Sequence, residues 1–139
     1  MNIKSLPAIL ALFFFFLSWY GLGTAIADQE SLPEVTLKIP ENQEHREYLG
    51  IEGVPGDEFQ LEDIDTDILL IDLFSMYCPY CQAEAPLVNT FYELAKAREK
   101  EDGIRIKVIG LGASNTTFEV EFFRDKYDVE FPMFPDEDL

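Results

Sequence analysis

The sequence predicts an α/β domain built around a parallel crossover, on three observations. Ile68 to Phe74 is an almost unbroken apolar run, which suits a central strand covered on both faces. From Pro79 onward Leu87, Val88, Phe91, Leu94 and Ala95 recur with helical spacing, and Gly103 closes the segment. Ile104 to Leu111 then returns to a strand pattern, and strand, helix and strand of these lengths call for a right-handed parallel crossover.

The elements follow in order. Met1 to Ala27 reads as a secretory signal: Lys4 supplies the positive region, Ala8 to Tyr20 the apolar region, and Ala25-Ile26-Ala27 the cleavage site. The alternative is an uncleaved N-terminal anchor, since the apolar stretch is close to the ~20 residues that span a membrane. Either way the remainder is expected outside the cytoplasm. Residues 28–58 form an acidic N-terminal extension, and residues 59–139 carry the α/β domain. Within the extension Val35 to Ile39 alternates like an edge strand closed by Pro40, Glu41 to Glu47 reads as a solvated linker, and Gly53 to Asp57 as a turn. His45, the only histidine, reads as a surface residue. Phe59 to Leu61 is a short strand, and Asp63 to Asp67 a turn. Lys96, Arg98 and Lys100 suit the end of the long helix, where cations meet the negative end of its dipole. Asn115-Thr116-Thr117 has two readings, a glycan acceptor or a helix start, and Thr116 with Glu119 favours the second as a capping box. The helix that follows places Val120, Phe123 and Tyr127 on one face with Phe118 and Phe122 beside it, an aromatic face taken as core. Phe131 to Phe134 reads as a final strand, after which the chain turns away.

The chemistry lies between the first strand and the long helix. Cys78 and Cys81 are the only cysteines, and C-x-x-C at the mouth of a helix after a strand reads as a redox pair. Cys78 falls at or near the N-cap, and Pro79 takes the first helical position, where its missing N–H is no loss. Free N–H groups and the positive end of the helix favour a thiolate at Cys78. Cys81 lies deeper and should stay protonated until a base takes its proton. Two carboxylates are placed to help: Asp72 interrupts the apolar strand, and Glu84 follows Cys81 on the same helical face.

Asp72-Leu-Phe-Ser-Met-Tyr-Cys78-Pro-Tyr-Cys81, with Glu84 and Pro86, resembles the thioredoxin superfamily, and more narrowly the exported TlpA/ResA-like thiol–disulfide oxidoreductases. By that resemblance Asp72 matches the buried aspartate of thioredoxins, Glu84 the acidic residue after the motif, and Pro86 the proline that kinks the active-site helix. Tyr77 departs from the pattern, which has tryptophan there. Cys78-Pro79-Tyr80-Cys81 is the glutaredoxin tetrapeptide. The resemblance implies a thioredoxin-like fold, a reductive direction, electrons from a membrane thiol donor, and disulfide-containing exported proteins as substrates. It also implies a cis-proline facing the cysteines, followed by a hairpin and a last helix. Pro132 is the candidate within the chain. The segment from Ser114 to Tyr127 resembles an insertion that would put the true cis-proline beyond Leu139, so the chain reads as truncated at its C-terminus.

The totals exclude other classes. With 27 acidic residues against 10 basic and a formal charge of −17, the chain is unsuited to nucleic acid, whose binding rests on neutralising phosphates. No P-loop, dinucleotide fingerprint or metal-ligand cluster appears, so no cofactor is expected, and a monomer is expected. The alternative function is a copper-binding or metal-delivery module that uses both thiolates as soft ligands, with Met76 and Met133 as possible thioethers. An inert structural disulfide ranks below catalysis, because so short a loop constrains the unfolded chain little.

Overall fold

The computed structural model describes residues 35–137, so the secretory-signal reading of residues 1–27 lies outside the described residues. The elements are β1 (Thr36–Lys38), α1 (Gln43–Leu49), β2 (Glu58–Gln60), β3 (Ile68–Phe74), α2 (Pro79–Asp102), β4 (Ile106–Ala113), α3 (Thr117–Tyr127) and β5 (Met133–Asp136). Strands β3, β4 and β5 form a parallel sheet in that order, and β1 pairs with β2 antiparallel. The α/β reading with a β3–α2–β4 crossover therefore holds. β4, however, is the middle strand of the described sheet. β3 lies at its edge, and Leu73 is 63% exposed.

Period-two alternation sorts β4 between two cores. Ile109 and Leu111 pack with Leu37, Ile39, Leu49, Ile51, Phe59, Ile64 and Phe134. Val108 turns the other way, into Phe74, Ala85, Tyr92, Val120, Phe123, Val129, Phe131 and Met133. The stretch read as an acidic extension thus supplies Leu37, Ile39, Leu49 and Ile51 to a core shared with the sheet. Its supposed linker, Glu41 to Glu47, is mostly α1. Asn42 caps that helix through the Glu44 N–H, Gly50 ends it at φ 69°, and the charges take its outer face. His45 is half-buried rather than on the surface, and its Nε2 meets the Glu130 carbonyl at 3.1 Å. Burial lowers its pKa. Tyr48 closes the other side of β4, where its hydroxyl accepts the Val108 N–H at 2.7 Å.

The long helix buries only part of the expected stripe. Ala85, Tyr92 and Ala95 face the core with Val88 beside them, while Leu87, Phe91 and Leu94 are exposed. On α3 the core side is Val120 and Phe123, whereas Phe118 and Phe122 face solvent. Its N-terminus has the expected capping box: Glu119 accepts the Thr116 N–H at 2.7 Å, and Thr116 accepts the Glu119 N–H. β5 begins two residues later than expected and takes in Pro135, which an edge strand tolerates. The described peptide bonds are all trans, so Pro132 is not a cis-proline.

α3 packs tightly on the sheet at Gly112. A Cβ there would lie 2.8 Å from Val120 Cγ2 and 3.1 Å from both Asn115 Cβ and Phe74 Cζ. Gly112→Ala should therefore destabilise the fold by about 1–3 kcal/mol through overpacking. The check is a lower urea midpoint with an unchanged slope.

Candidate active site

β3 carries its last core residue, Phe74, to the sheet end, and the chain then turns sharply. The Cys78 N–H donates to the Ser75 carbonyl at 3.0 Å, and the Gln82 N–H donates to the Cys78 carbonyl at 3.1 Å. Cys78 is thereby the N-cap of α2 (φ −86°, ψ 112°), with Pro79 just inside the helix. Its sulfur does what a serine or aspartate oxygen does at other helix starts, accepting the Cys81 N–H at 3.3 Å. Both cysteines are free thiols and half-buried.

Their titrations diverge. Cys78 is held below the ordinary thiol value of 9.0, first by the hydrogen bond from the Cys81 thiol and next by the Cys81 N–H. The Tyr80 N–H adds to this, while partial burial and the charge of Glu84 oppose it. Sequence reasoning credited the helix start alone, but the partner thiol contributes most. Cys81 is pushed up, first by burial and then by the proton it shares with Cys78. The Ser75 N–H, donating to the Cys81 sulfur, works the other way.

The carboxylates separate as well. Asp72 lies opposite Gly110 in the β3–β4 register and shares the helix-side face with Leu70 and Phe74. Burial raises its pKa first, and the charge of Glu84 raises it further. Among the described residues no ion pair compensates Asp72. Its charge bears on Cys81, whereas the exposed Glu84 acts on Cys78 and on Asp72. Spacing along α2 had favoured Glu84 as the neighbour of Cys81. The parallel register brings in Asp72 instead.

Tyr80 is 85% exposed, beside the dithiol. Tyr77 is exposed too, and its hydroxyl donates a short hydrogen bond to Glu119, which raises the tyrosine pKa and lowers that of the carboxyl. Pro86 lies within α2, which continues through it to Asp102. Met133 is a core residue packed near Gly110 and Phe74. Among the described residues no cluster of three or more His, Cys, Asp or Glu side chains could hold a metal ion, and no helix is long and apolar enough to cross a membrane.

Sequence reasoning missed Asn115 and Gln82. Asn115 is fully buried, which rules out the glycan reading of Asn115-Thr116-Thr117. Its Oδ1 accepts the Met76 N–H at 2.8 Å, and Gln82 Nε2 donates to the Met76 carbonyl at 2.7 Å.

No family model matches the chain. Thiol-disulfide oxidoreductase ResA of Halalkalibacterium halodurans is 27% identical over 89 residues, which is 64% of this chain and 47% of the relative. ResA of Oceanobacillus iheyensis is 30% identical over 82 residues, 59% of this chain and 40% of the relative. The chain thus spans less than half the length of either relative. Among solved structures, a Bacteroides thetaiotaomicron protein put forward as a protein disulfide isomerase superposes with a TM-score of 0.53 at 18% identity, over 77% of this chain and 56% of its own. A hypothetical protein of Sinorhizobium meliloti gives 0.51 at 17% identity, over 75% and 50%. The chain has a thioredoxin-like α/β fold and is similar in sequence to the ResA thiol–disulfide oxidoreductases over the residues it shares with them.

Proposed function

We propose that the chain is an extracytoplasmic thiol–disulfide oxidoreductase that reduces disulfides of exported proteins through Cys78 and Cys81. The observation that carries this reading is the geometry of the pair: Cys78 caps α2 with its sulfur on the Cys81 N–H at 3.3 Å, which lowers its thiol, while burial raises that of Cys81. A dithiol exchanger needs one sulfur ready to attack and a second held protonated until the mixed disulfide forms. An inert structural pair needs neither.

Cys78 thiolate attacks one sulfur of a substrate disulfide. A Cys78–substrate bond forms, and the substrate S–S bond breaks with release of one thiolate. Cys81 then gives its proton to Asp72, and the new thiolate attacks Cys78 Sγ. The mixed disulfide breaks and the second substrate sulfur leaves, taking the proton back from Asp72. The substrate has gained two electrons, and the chain holds a Cys78–Cys81 disulfide. A membrane thiol donor restores the dithiol in a second exchange. Tyr77 and Tyr80 form the exposed surface that the substrate meets. Residues 1–27 export or tether the chain, which acts as a monomer.

The test is turnover of a protein disulfide, such as oxidised insulin, with dithiothreitol as terminal reductant. The chain should accelerate reduction well above the dithiothreitol background, and the double variant Cys78→Ser/Cys81→Ser should not. Equal rates for the two would sink the proposal.

A further inference from the structure

Asn115 has no exposed surface, yet it is a polar side chain at the junction of β4 and α3. A buried carboxamide persists only where its donors and acceptor are engaged. Here the acceptor takes the Met76 N–H at 2.8 Å, and Nδ2 donates to the Ser75 hydroxyl at 3.4 Å and to the Ser114 carbonyl at 3.1 Å. Two of these three partners belong to the turn that delivers Cys78. From the other side Gln82 Nε2 holds the Met76 carbonyl at 2.7 Å, so the Met76 N–H and C=O are both fixed by side chains from different elements. The same turn carries the Ser75 carbonyl that anchors the Cys78 N–H at 3.0 Å. The Cys78 sulfur so placed accepts the Cys81 N–H at 3.3 Å.

We propose that Asn115 is a positioning residue for the dithiol: with Gln82 it pins Met76 and so fixes the turn from which Cys78 caps α2, its sulfur held against the Cys81 N–H. The β4–α3 junction thereby tunes the thiol chemistry without touching a substrate. Loosening the turn withdraws stabilisation from the Cys78 thiolate in the reduced form. The disulfide form is then favoured relative to the dithiol, and the potential becomes more negative. The claim about potential rests on the dithiol being redox-active. The claim about the thiolate does not, because alkylation reads Cys78 whether or not the chain turns over a substrate.

The experiment compares the full chain with Asn115→Ala and Gln82→Met. It measures iodoacetamide alkylation of Cys78 against pH, the dithiol equilibrium with glutathione, and thermal stability. The other titratable groups facing the sulfurs, Asp72 on β3 and Glu84 on α2, are left in place, as is the Tyr77–Glu119 pair. Asn115→Ala should lower Cys78 alkylation near neutral pH by about three- to tenfold, the size of one net hydrogen bond. Its equilibrium with glutathione should move by a similar factor, to a potential about 15–30 mV more negative. Gln82→Met, which breaks only the second tie, should shift alkylation the same way with little loss of melting temperature. An alkylation profile unchanged in Asn115→Ala while stability falls would make Asn115 purely structural and overturn the proposal. Should that variant fail to fold, an unchanged profile in Gln82→Met overturns it. A shifted profile in a chain that never equilibrates with glutathione would support the positioning role and count against the proposed oxidoreductase.

Discussion

Cys81→Ser should accumulate a stable mixed disulfide through Cys78 with disulfide-bearing proteins, while Cys78→Ser should capture essentially none. The asymmetry follows from the helix start. Cys78 caps α2, and its thiolate is stabilised by the Cys81 thiol and by the Cys81 and Tyr80 N–H groups. Cys81 is raised by burial and by the charge of Asp72, and it packs against the Phe74–Phe123 core. Because the thiolate is the nucleophile, at pH 6–7 Cys78 should be alkylated at least about tenfold faster than Cys81. Mass mapping after brief alkylation reads the order directly, and modification of Cys81 first would reverse the assignment. Cys81→Ala, unlike Cys81→Ser with its donor hydroxyl, also removes the largest stabilisation of the Cys78 thiolate, the hydrogen bond from the partner thiol. The alanine variant should therefore attack more slowly than the parent chain near neutral pH, and the two rates should converge in alkaline solution, where either Cys78 is ionised.

The crossover, the capping box of Thr116 with Glu119 and the cysteine pair were legible because each depends on residues near one another in sequence. The failures have a common physical origin. A 24-residue helix presents apolar residues on two faces, and the bulk of Leu87, Phe91 and Leu94 pointed to one of them. The sheet packs against the other, lined by the smaller Ala85 and Ala95 together with Tyr92, since small side chains allow closer approach to β4. The α1 segment was hidden by its charge, although Asn42 and Gly50 stood at its ends as start and stop signals. Leu49 alone ties that helix fully into the core. Asn115 could not be found locally at all. Its partners lie at Ser75 and Met76, and only the parallel pairing of β3 with β4 brings the two strand ends together. The same register puts Asp72 opposite Gly110, on the side of the sheet where Cys81 packs.

Asp72→Asn should slow resolution of the mixed disulfide by about tenfold or more while leaving the first attack by Cys78 nearly unchanged. A positioned base contributes about 10²–10⁴ to a proton transfer, and solvent bases recover part of that when it is removed. The sign of the effect separates two roles for the residue. As a fixed negative charge Asp72 raises the pKa of Cys81. Removing only that charge would increase the thiolate fraction at Cys81 and speed resolution. Slower resolution thus requires that the carboxylate accept the proton. Stopped-flow reduction of a disulfide with a chromophoric leaving group separates the two steps, and faster or unchanged resolution in Asp72→Asn would end the base assignment. Slower resolution in Glu84→Gln instead would move the role to Glu84. Stability supplies an independent check. The folded carboxyl titrates above its ordinary value of 3.8, chiefly through burial. Its stabilising contribution is present below that value, when it is protonated in both states, and is lost as pH rises through the folded pKa. The Asn variant lacks this loss. The two chains should differ least in acid, and Asp72→Asn should become the more stable as pH climbs towards neutrality, read as a growing gap between their urea midpoints. A constant gap across that range would mean that Asp72 does not titrate high, and a proton acceptor for Cys81 would have to be sought elsewhere.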